Sequence, residues 1–282
     1  MPSSDSAAAE TSLTLRNAAG DEAILSSHGA QLLSWRPARS AEQIYLSPLS
    51  RPADGVAVRG GAPICFPQFS NRGPLAKHGF ARISRWALVT GPSPETEVTE
   101  ARFQLDSSMV TGDRAFCTVL VARLGPRWLE LQLQVANTGR SSWDFTAAIH
   151  TYFQVADLCE ASLAGLQGLE YEDMVLDGAV RREPAAVLGF DGSEIDRVYR
   201  QATRPLSLQT PGAPARRIVQ QGFADVVVWN PGRAKAPTFR DLPPDDWSRM
   251  LCVEAGAIAH PVELAPGKTW SGTQRVELGE SA

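Results

Sequence analysis

Residues 129–135 read Leu-Glu-Leu-Gln-Leu-Gln-Val, with apolar and polar side chains in strict alternation. Successive side chains of a β-strand point to opposite faces, so this stretch predicts a strand with one packed face and one solvated face. Asn137-Thr138-Gly139 follows it and predicts a turn. Upstream, residues 116–122 are rich in β-branched and apolar side chains, and Gly125-Pro126-Arg127 separates the two segments. Together they predict an antiparallel hairpin.

Short segments of this kind recur about every ten residues, whereas helical periodicity is nearly absent. Further strands are predicted over residues 31–35, 85–89, 145–155, 225–229 and 249–254. The loop-like stretches 211–215 and 241–246 are too short to act as linkers between domains. The pattern favours an all-β fold, a large antiparallel β-sandwich formed by one domain over residues 13–282, preceded by a flexible N-terminus at residues 1–12.

Composition excludes several classes of protein. The 282 residues carry 27 Lys and Arg against 31 Asp and Glu, a formal net charge of −4. An acidic chain without a basic stripe disfavours nucleic acid as a partner. No run of 18 apolar residues is present, and the Ser- and Ala-rich start does not resemble a signal peptide. These features predict a cytoplasmic monomer without a membrane partner, and a small anionic ligand remains open.

Short motifs exclude further chemistry. The chain has no Walker loop, dinucleotide fingerprint, HExxH or GxSxG motif, which disfavours nucleotide-dependent chemistry and metalloproteolysis. The four cysteines lie far apart in sequence and are expected to be reduced and mostly buried: Cys65, Cys117, Cys159 and Cys252. His28 and His260 stand in loop-like surroundings and are expected at the surface.

A first candidate segment begins with Arg59-Gly60-Gly61. Paired glycines permit left-handed backbone angles or close approach to a ligand, but they also suit an ordinary turn. Arg59, Lys77, Arg82 and Arg85 fall within a short span and form a cation cluster if the fold gathers them. The fork of an arginine suits a phosphate or carboxylate. The alternative is a solvated basic face.

Two further candidates are proton-transfer groups. Strand alternation over residues 147–155 sets His150 on one face with Tyr152 and Gln154, which resembles the floor of a cleft, although a structural histidine is an equal alternative. Glu254 shares an apolar face with Cys252, where desolvation would raise the pKa of its carboxyl and suit it to proton transfer. The alternative is an exposed glutamate at a strand end, just before a turn at Gly256.

In combination, these segments resemble the aldose 1-epimerase superfamily, and specifically its hexose-6-phosphate mutarotase branch, the glucose-6-phosphate 1-epimerases. The matching blocks span about residues 55–260 and are far more specific jointly than singly. They are Arg59-Gly60-Gly61 with Cys65-Phe66-Pro67, His78-Gly79-Phe80-Ala81-Arg82, His150-Thr151-Tyr152-Phe153, Asp196-Arg197-Val198-Tyr199, Val228-Trp229-Asn230-Pro231 and Cys252-Val253-Glu254.

The resemblance implies a sandwich of the galactose mutarotase type, with its site in a cleft on one sheet. It implies an isomerase that exchanges the α and β anomers of glucose 6-phosphate, or of a related aldohexose 6-phosphate, without metal or cofactor. His150 would be the general acid and Glu254 the general base. Substrate-binding roles would fall to Arg59 and Arg82 at the phosphate and to Asp196 and His78 at the sugar, while Lys77 either strengthens the anion site or is exposed.

Three alternatives remain open. The chain could be a mutarotase of unphosphorylated hexoses or a non-catalytic carbohydrate-binding module, since one fold hosts many functions. A retaining glycosidase is disfavoured, because it needs two carboxylates roughly 5 to 5.5 Å apart and only Glu254 has a suitable sequence setting. Departures from the family pattern at Gln68, Ala76-Lys77 and Ala255 concern substrate fit rather than proton transfer.

Overall fold

The computed structural model describes residues 12–92, 96–109 and 114–279. Of the N-terminus predicted as flexible, residues 1–11 lie outside the described residues and Ser12 begins the first strand. In chain order the strands are β1 (Ser12–Arg16), β2 (Glu22–Ser26), β3 (Leu32–Arg36), β4 (Ile64–Cys65), β5 (Ala87–Thr90), β6 (Thr99–Asp106), β7 (Phe116–Gly125), β8 (Trp128–Asn137), β9 (Trp143–Ile149), β10 (Tyr152–Gln154), β11 (Ser162–Ala164), β12 (Glu170–Asp173), β13 (Ala179–Arg182), β14 (Val187–Gly189), β15 (Ile195–Tyr199), β16 (Leu206–Gln209), β17 (Arg216–Gln221), β18 (Asp225–Asn230), β19 (Met250–Leu264) and β20 (Thr269–Leu278).

Helices are short. The described part of the chain contains the single-turn α-helix α1 (Gly232–Lys235). It also contains 3₁₀ turns at Ala81–Ile83, Ser107–Met109, Leu158–Glu160, Met174–Leu176, Ala236–Thr238 and Asp246–Arg249. Not one helix in the described ranges has the length and apolar character needed to cross a membrane.

Three antiparallel sheets account for the strands. The small sheet is β1-β2-β3; the second has the order β13-β12-β15-β18-β19-β9-β4, with β10 also paired to β19; the third has the order β14-β11-β16-β17-β20-β8-β7-β6-β5. Apolar side chains from both large sheets form one buried cluster, which includes Leu131 and Leu133 of β8 with Ile149 of β9 and Val253 of β19. The prediction of an all-β antiparallel sandwich is therefore confirmed. The single-domain boundary at residues 13–282 stays a prediction.

The predicted hairpin is present. Strands β7 and β8 pair from Phe116 opposite Asn137 to Gly125 opposite Trp128. The four apolar side chains of the alternating stretch are all buried, at 3% exposure or less. The predicted strands 31–35, 85–89 and 225–229 match β3, β5 and β18 to within two residues at each end.

Two predicted strands differ from the structure. Residues 145–155 are divided into β9 and β10, because the backbone N–H groups of His150 and Tyr152 donate to loop carbonyls of Pro63 and Gly61. The other, 249–254, continues as β19 to Leu264, so the predicted turn at Gly256 is wrong.

Gln274 connects the two large sheets. It lies on β20, is 3% exposed, and its side-chain Nε2 donates to the carbonyl of Val253 on β19 at 3.0 Å. Its Oε1 accepts a hydrogen bond from the hydroxyl of Thr151. One side chain of the third sheet thus contacts the immediate chain neighbours of both His150 and Glu254.

The paired glycines serve the backbone itself. Gly60 and Gly61 have φ angles of +106° and +69°, in the left-handed region. A Cβ on Gly60 would lie 2.5 Å from the carbonyl oxygen of Tyr45, and one on Gly61 would lie 2.2 Å from that of Leu32. The close contacts are with the protein's own backbone, so a structural role explains both glycines without a ligand.

Two minor predictions need correction. All four cysteines are free, but only Cys65 and Cys252 are buried, and Cys159 is exposed. His28 is buried rather than at the surface, with Nε2 lying 2.7 Å from the carbonyl oxygen of Val56. His260 is exposed, as expected.

Candidate active site

A cavity of about 260 Å³ opens on the second sheet and gathers the predicted site residues. Side chains reach it from β10, β15, β18 and β19, from the link between β9 and β10, and from the loops around residues 59 and 77. All seven residues singled out in the sequence line it: Arg59, Lys77, His78, Arg82, His150, Asp196 and Glu254. Arg85, the fourth member of the predicted cation cluster, is not among the described residues that line it. Residues predicted from separate parts of the sequence thus share one cleft, while their roles stay predictions.

His150 and Glu254 face each other in this cavity. The Nε2 atom of His150 lies 3.2 Å from Oε1 of Glu254, and their side chains are 10% and 0% exposed. The contact lacks hydrogen-bond geometry, and within the described residues neither carboxyl oxygen of Glu254 nor Nδ1 of His150 has a hydrogen-bond partner. A fully buried carboxyl without partners excludes the reading of Glu254 as a solvated strand end, and it is costly unless a ligand supplies the missing partners.

Burial sets the protonation of this pair. It raises the pKa of the Glu254 carboxyl well above its ordinary value, and the nearby Asp196 adds to the rise. Burial also lowers the pKa of the His150 imidazole well below its ordinary value, helped by His78, Arg82 and Arg59. Burial therefore favours the neutral form of both groups.

Aromatic rings hold the His150 imidazole. The Tyr152 ring stacks on it with the centroids 4.8 Å apart and the planes 13° from parallel. His78 and Trp229 meet it edge-on, at 5.5 Å and 6.1 Å between centroids. Packing on three sides thus fixes the direction in which its nitrogen atoms point.

Arg59 lies at one end of the cavity, 20% exposed. Its Nη1 donates to the hydroxyl of Tyr152 at 3.2 Å, and its Nε donates to the Asp241 carboxylate at 3.3 Å. The guanidinium lies 4.7 Å over the ring of Phe239. The fork is therefore oriented before any ligand arrives, which lowers the entropic cost of binding an anion.

Arg82 and Lys77 supply positive charge that forms no ion pair with a described carboxylate. Arg82 Nη2 donates to the backbone carbonyl of Lys77 at 2.9 Å, and its Nε has no partner among the described residues. Neither residue forms an ion pair within that part of the chain, whereas two other cations of the cavity, Arg72 and Lys235, pair with Glu172 and Glu194. The unpaired charge favours an anionic ligand.

His78 is a neutral hydrogen-bond donor. Its Nδ1 accepts from the backbone N–H of Ser70 at 3.3 Å and lies 3.2 Å from the Cys65 sulfur. Burial, with the charges of Arg82 and Lys77, lowers the pKa of His78 to about 3. Since Nδ1 accepts and the ring is uncharged, the single ring proton is on Nε2.

Asp196 is a second carboxyl in the cavity and is half-buried. It lies on β15 opposite Trp229 on β18, and burial, with the charge of Glu194, raises the pKa of its carboxyl to about 6. The cavity thus contains two carboxyls with raised pKa values, those of Glu254 and Asp196.

Sequence reasoning missed the residues that orient Arg59. Asp241 and Phe239 lie in and beside a stretch classed only as loop, and pairing between distant segments leaves no local signal. Trp229, from one of the motifs that match the family, also lines the cavity. Gln68 does not line the cavity, because its side-chain amide donates to the backbone carbonyls of Ser70 and Leu75. Lys77 does line it.

One group of residues could offer ligand atoms to a metal. His150, Cys252 and Glu254 are all buried, and one potential ligand atom from each lies within 4.8 Å of the others. The unpaired charges of Arg82 and Lys77 beside them oppose a divalent cation, so the donor set fits an anion-binding, proton-transferring site better.

Comparisons with known proteins agree with this geometry. The family model described as aldose 1-epimerase matches residues 11–277. A protein of Cenchrus ciliaris named "Putative glucose-6-phosphate 1-epimerase" is 31% identical over 92% of this chain and 82% of its own length. A protein of Escherichia coli with the same name is 32% identical, over 89% of this chain and 85% of its own.

The fold is shared with solved structures. The crystal structure of a "putative mutarotase" from Salmonella typhimurium superposes with a TM-score of 0.84 at 28% identity, covering 92% of this chain and 88% of the other. The range matched by the family model includes His150, Glu254 and the other residues that line the cavity. The chain therefore belongs to the aldose 1-epimerase family and is an isomerase that exchanges the anomers of a hexose.

Proposed function

We propose that this enzyme is a hexose-6-phosphate mutarotase, with glucose 6-phosphate or a related aldohexose 6-phosphate as its substrate. The observation that carries the proposal is the positive charge of Arg82 and Lys77, which form no ion pair within the described residues and lie in the same cavity as His150 and Glu254. A neutral hexose has no group that needs these cations. The names of the relatives from Cenchrus ciliaris and Escherichia coli support the same substrate.

Arg59 and Arg82 would hold the phosphate. Arg59 is already oriented by Tyr152 and Asp241, and Arg82 has an Nε–H group without a partner among the described residues. Guanidinium groups form charge-assisted, often bidentate hydrogen bonds to phosphate oxygens. Lys77, exposed at the rim, adds a point charge that attracts the dianion.

His150 and Glu254 would carry the protons. Anomer exchange requires the C1 hydroxyl to lose a proton while the ring oxygen gains one; the ring then opens, the C1 to C2 bond rotates and the protons return. Sugar hydroxyls that donate to Glu254 would supply its missing partners and favour the carboxylate, whose negative charge would in turn favour a protonated His150. Glu254 then acts as the base and His150 as the acid, and each transfer contributes about 10²- to 10⁴-fold in rate.

His78 and Asp196 would orient the sugar. The Nε2–H group of His78 is a donor with no charge to titrate, so it can bond to a sugar oxygen throughout the neutral pH range. Asp196 would accept hydrogen bonds from hydroxyl groups, since its carboxyl lines the same cavity. Trp229 offers an aromatic face for the sugar ring.

The test measures anomer exchange by saturation-transfer NMR on glucose and on glucose 6-phosphate. We expect kcat/KM to be at least about tenfold higher for the phosphorylated sugar. Arg82→Ala should lower kcat/KM for glucose 6-phosphate about 10- to 100-fold and change kcat/KM for glucose far less. Arg182→Ala, which removes an exposed arginine of β13, is the matched control and should alter neither. Equal acceleration of both sugars would overturn the phosphate proposal.

A further inference from the structure

The structure links the anion-binding end of the cavity to the proton-transfer end through one side chain, Tyr152. Its hydroxyl accepts a hydrogen bond from Arg59 at 3.2 Å, and its ring stacks on His150 at 4.8 Å between centroids. Tyr152 is 3% exposed and is held in place by its pairing with Cys252 on β19. The two functional ends of the cavity thus share a buried, rigid connection.

Within the described residues no hydrogen bond holds the imidazole, which makes this connection important. A catalytic histidine is usually oriented by an acceptor on its second ring nitrogen. Here Nδ1 of His150 has no partner within the described residues, and the contact of Nε2 with Glu254 lacks hydrogen-bond geometry. The Tyr152 ring is the one stacked face-to-face on the imidazole, while His78 and Trp229 meet it only edge-on.

We propose that Tyr152 is a positioning residue with two separable parts: its ring fixes the direction of the His150 imidazole, and its hydroxyl fixes the Arg59 fork. The hydroxyl part rests on the proposed phosphate substrate. The ring part does not, because any hexose needs His150 correctly oriented. One variant removes only the hydroxyl and a second removes the ring as well, so the two parts of the proposal can be tested separately.

Tyr152→Phe keeps the stacked ring and removes the hydroxyl. We expect KM for glucose 6-phosphate to rise about five- to tenfold, because Arg59 keeps its contacts with Asp241 and Phe239 but loses one anchor. The kcat for both sugars should fall far less than in the Leu variant described next, and KM for glucose should change less than KM for glucose 6-phosphate. Unchanged KM for glucose 6-phosphate would overturn the hydroxyl part.

Tyr152→Leu removes the flat ring and keeps an apolar side chain. We expect kcat to fall at least about tenfold with both sugars, since a misdirected imidazole no longer meets the ring oxygen. The Phe variant serves as the conservative rescue, because it restores kcat without restoring KM. A wild-type kcat in the Leu variant would overturn the ring part.

The matched control is Tyr199→Phe. Tyr199 is fully buried, its hydroxyl contacts Arg197 and Glu183, and it is not among the residues that line the cavity. Its loss should lower thermal stability without changing KM or kcat for either sugar. If wild type treats both sugars alike, the phosphate proposal fails, and the Leu variant assayed on glucose still decides the ring part.

Discussion

His150 and Glu254 are direct cross-strand neighbours. Ile149 pairs with Ala255 where β9 meets β19, and antiparallel register then brings the next residue of one strand to the preceding residue of the other. The chain leaves β9 at His150 without losing this alignment, since β10 resumes the pairing at Tyr152 opposite Cys252. At the break the backbone N–H of His150 donates to the carbonyl of Pro63, while its Nε2 atom stays 3.2 Å from Oε1 of Glu254.

Loss of either proton-transfer group should abolish most activity. We expect His150→Ala and Glu254→Gln each to lower kcat by about 10²- to 10⁴-fold, measured by saturation-transfer NMR. The double variant should be little worse than the worse single one, because the two groups act as a unit.

A stability measurement separates this result from misfolding. Glu254 is buried and its carboxyl oxygens have no partners in the described part of the chain, so Glu254→Gln should not lower the melting temperature. Full activity in either single variant would refute the acid and base assignments.

The pKa of Asp196 predicts a pH dependence of stability. Its pKa rises from 3.8 unfolded to about 6 folded, so the folded chain keeps a proton that the unfolded chain loses between these values. This stabilisation is complete below about pH 4 and is lost as the pH rises through about 6, a change of about 3 kcal/mol. Asp196→Asn should remove that component from urea unfolding curves recorded between pH 4 and 7.

Asp54→Asn is the control for that measurement, because Asp54 is exposed. Its unfolding free energy should follow the wild-type pH curve. A wild-type curve that coincides with that of Asp196→Asn would contradict the raised pKa.

His78 should stay uncharged through the neutral range. Its pKa is lowered to about 3, so the unfolded chain takes up a proton below about pH 6.5 that the folded chain refuses, and His78 destabilises the fold increasingly from about pH 6.5 down to about 3. Its imidazole resonances in NMR spectra should not move between pH 5 and 8. A titration midpoint near 6.5 would show that the ring is solvated.

Gly60 should tolerate no side chain. Alanine there would bring a Cβ to 2.5 Å from a backbone oxygen at a φ of +106°. We expect Gly60→Ala to cost about 2 to 4 kcal/mol in urea unfolding. Gly55→Ala is the control, since its φ is +73° and no atom lies within 4 Å, and it should cost only about 1 to 2 kcal/mol. Equal losses would mean that conformation alone, and not the close contact, makes Gly60 necessary.

The alternation of apolar and polar residues within single segments was sufficient to predict which side chains share a face of a strand. It set Leu129 to Val135 on a packed strand and put Glu254 on the same face as Cys252, and the structure has both arrangements. The break after Ile149 could not be foreseen, because it depends on carbonyls of Pro63 and Gly61 in a distant loop.

The cleft itself was predicted by resemblance rather than by pattern. Composition and spacing left Arg59 and Arg82 as equally good surface residues, since a local sequence does not say which cations lack a carboxylate partner. The pairing of Arg59 with Asp241 and of Arg72 with Glu172 joins segments far apart in the chain. Such pairs become visible only when the register of every strand is known.

Gln274 has a consequence for anyone redesigning this fold. The Gln274 side chain comes from the third sheet and bonds to Thr151 and Val253, the chain neighbours of His150 and Glu254. The distance between His150 and Glu254 therefore depends on a sheet that does not line the cavity. Transfer of the second sheet alone to another scaffold would leave out Gln274, which lies on β20 of the third sheet. The transplanted pocket would keep its cavity-lining side chains but lose the contact that sets the distance between His150 and Glu254.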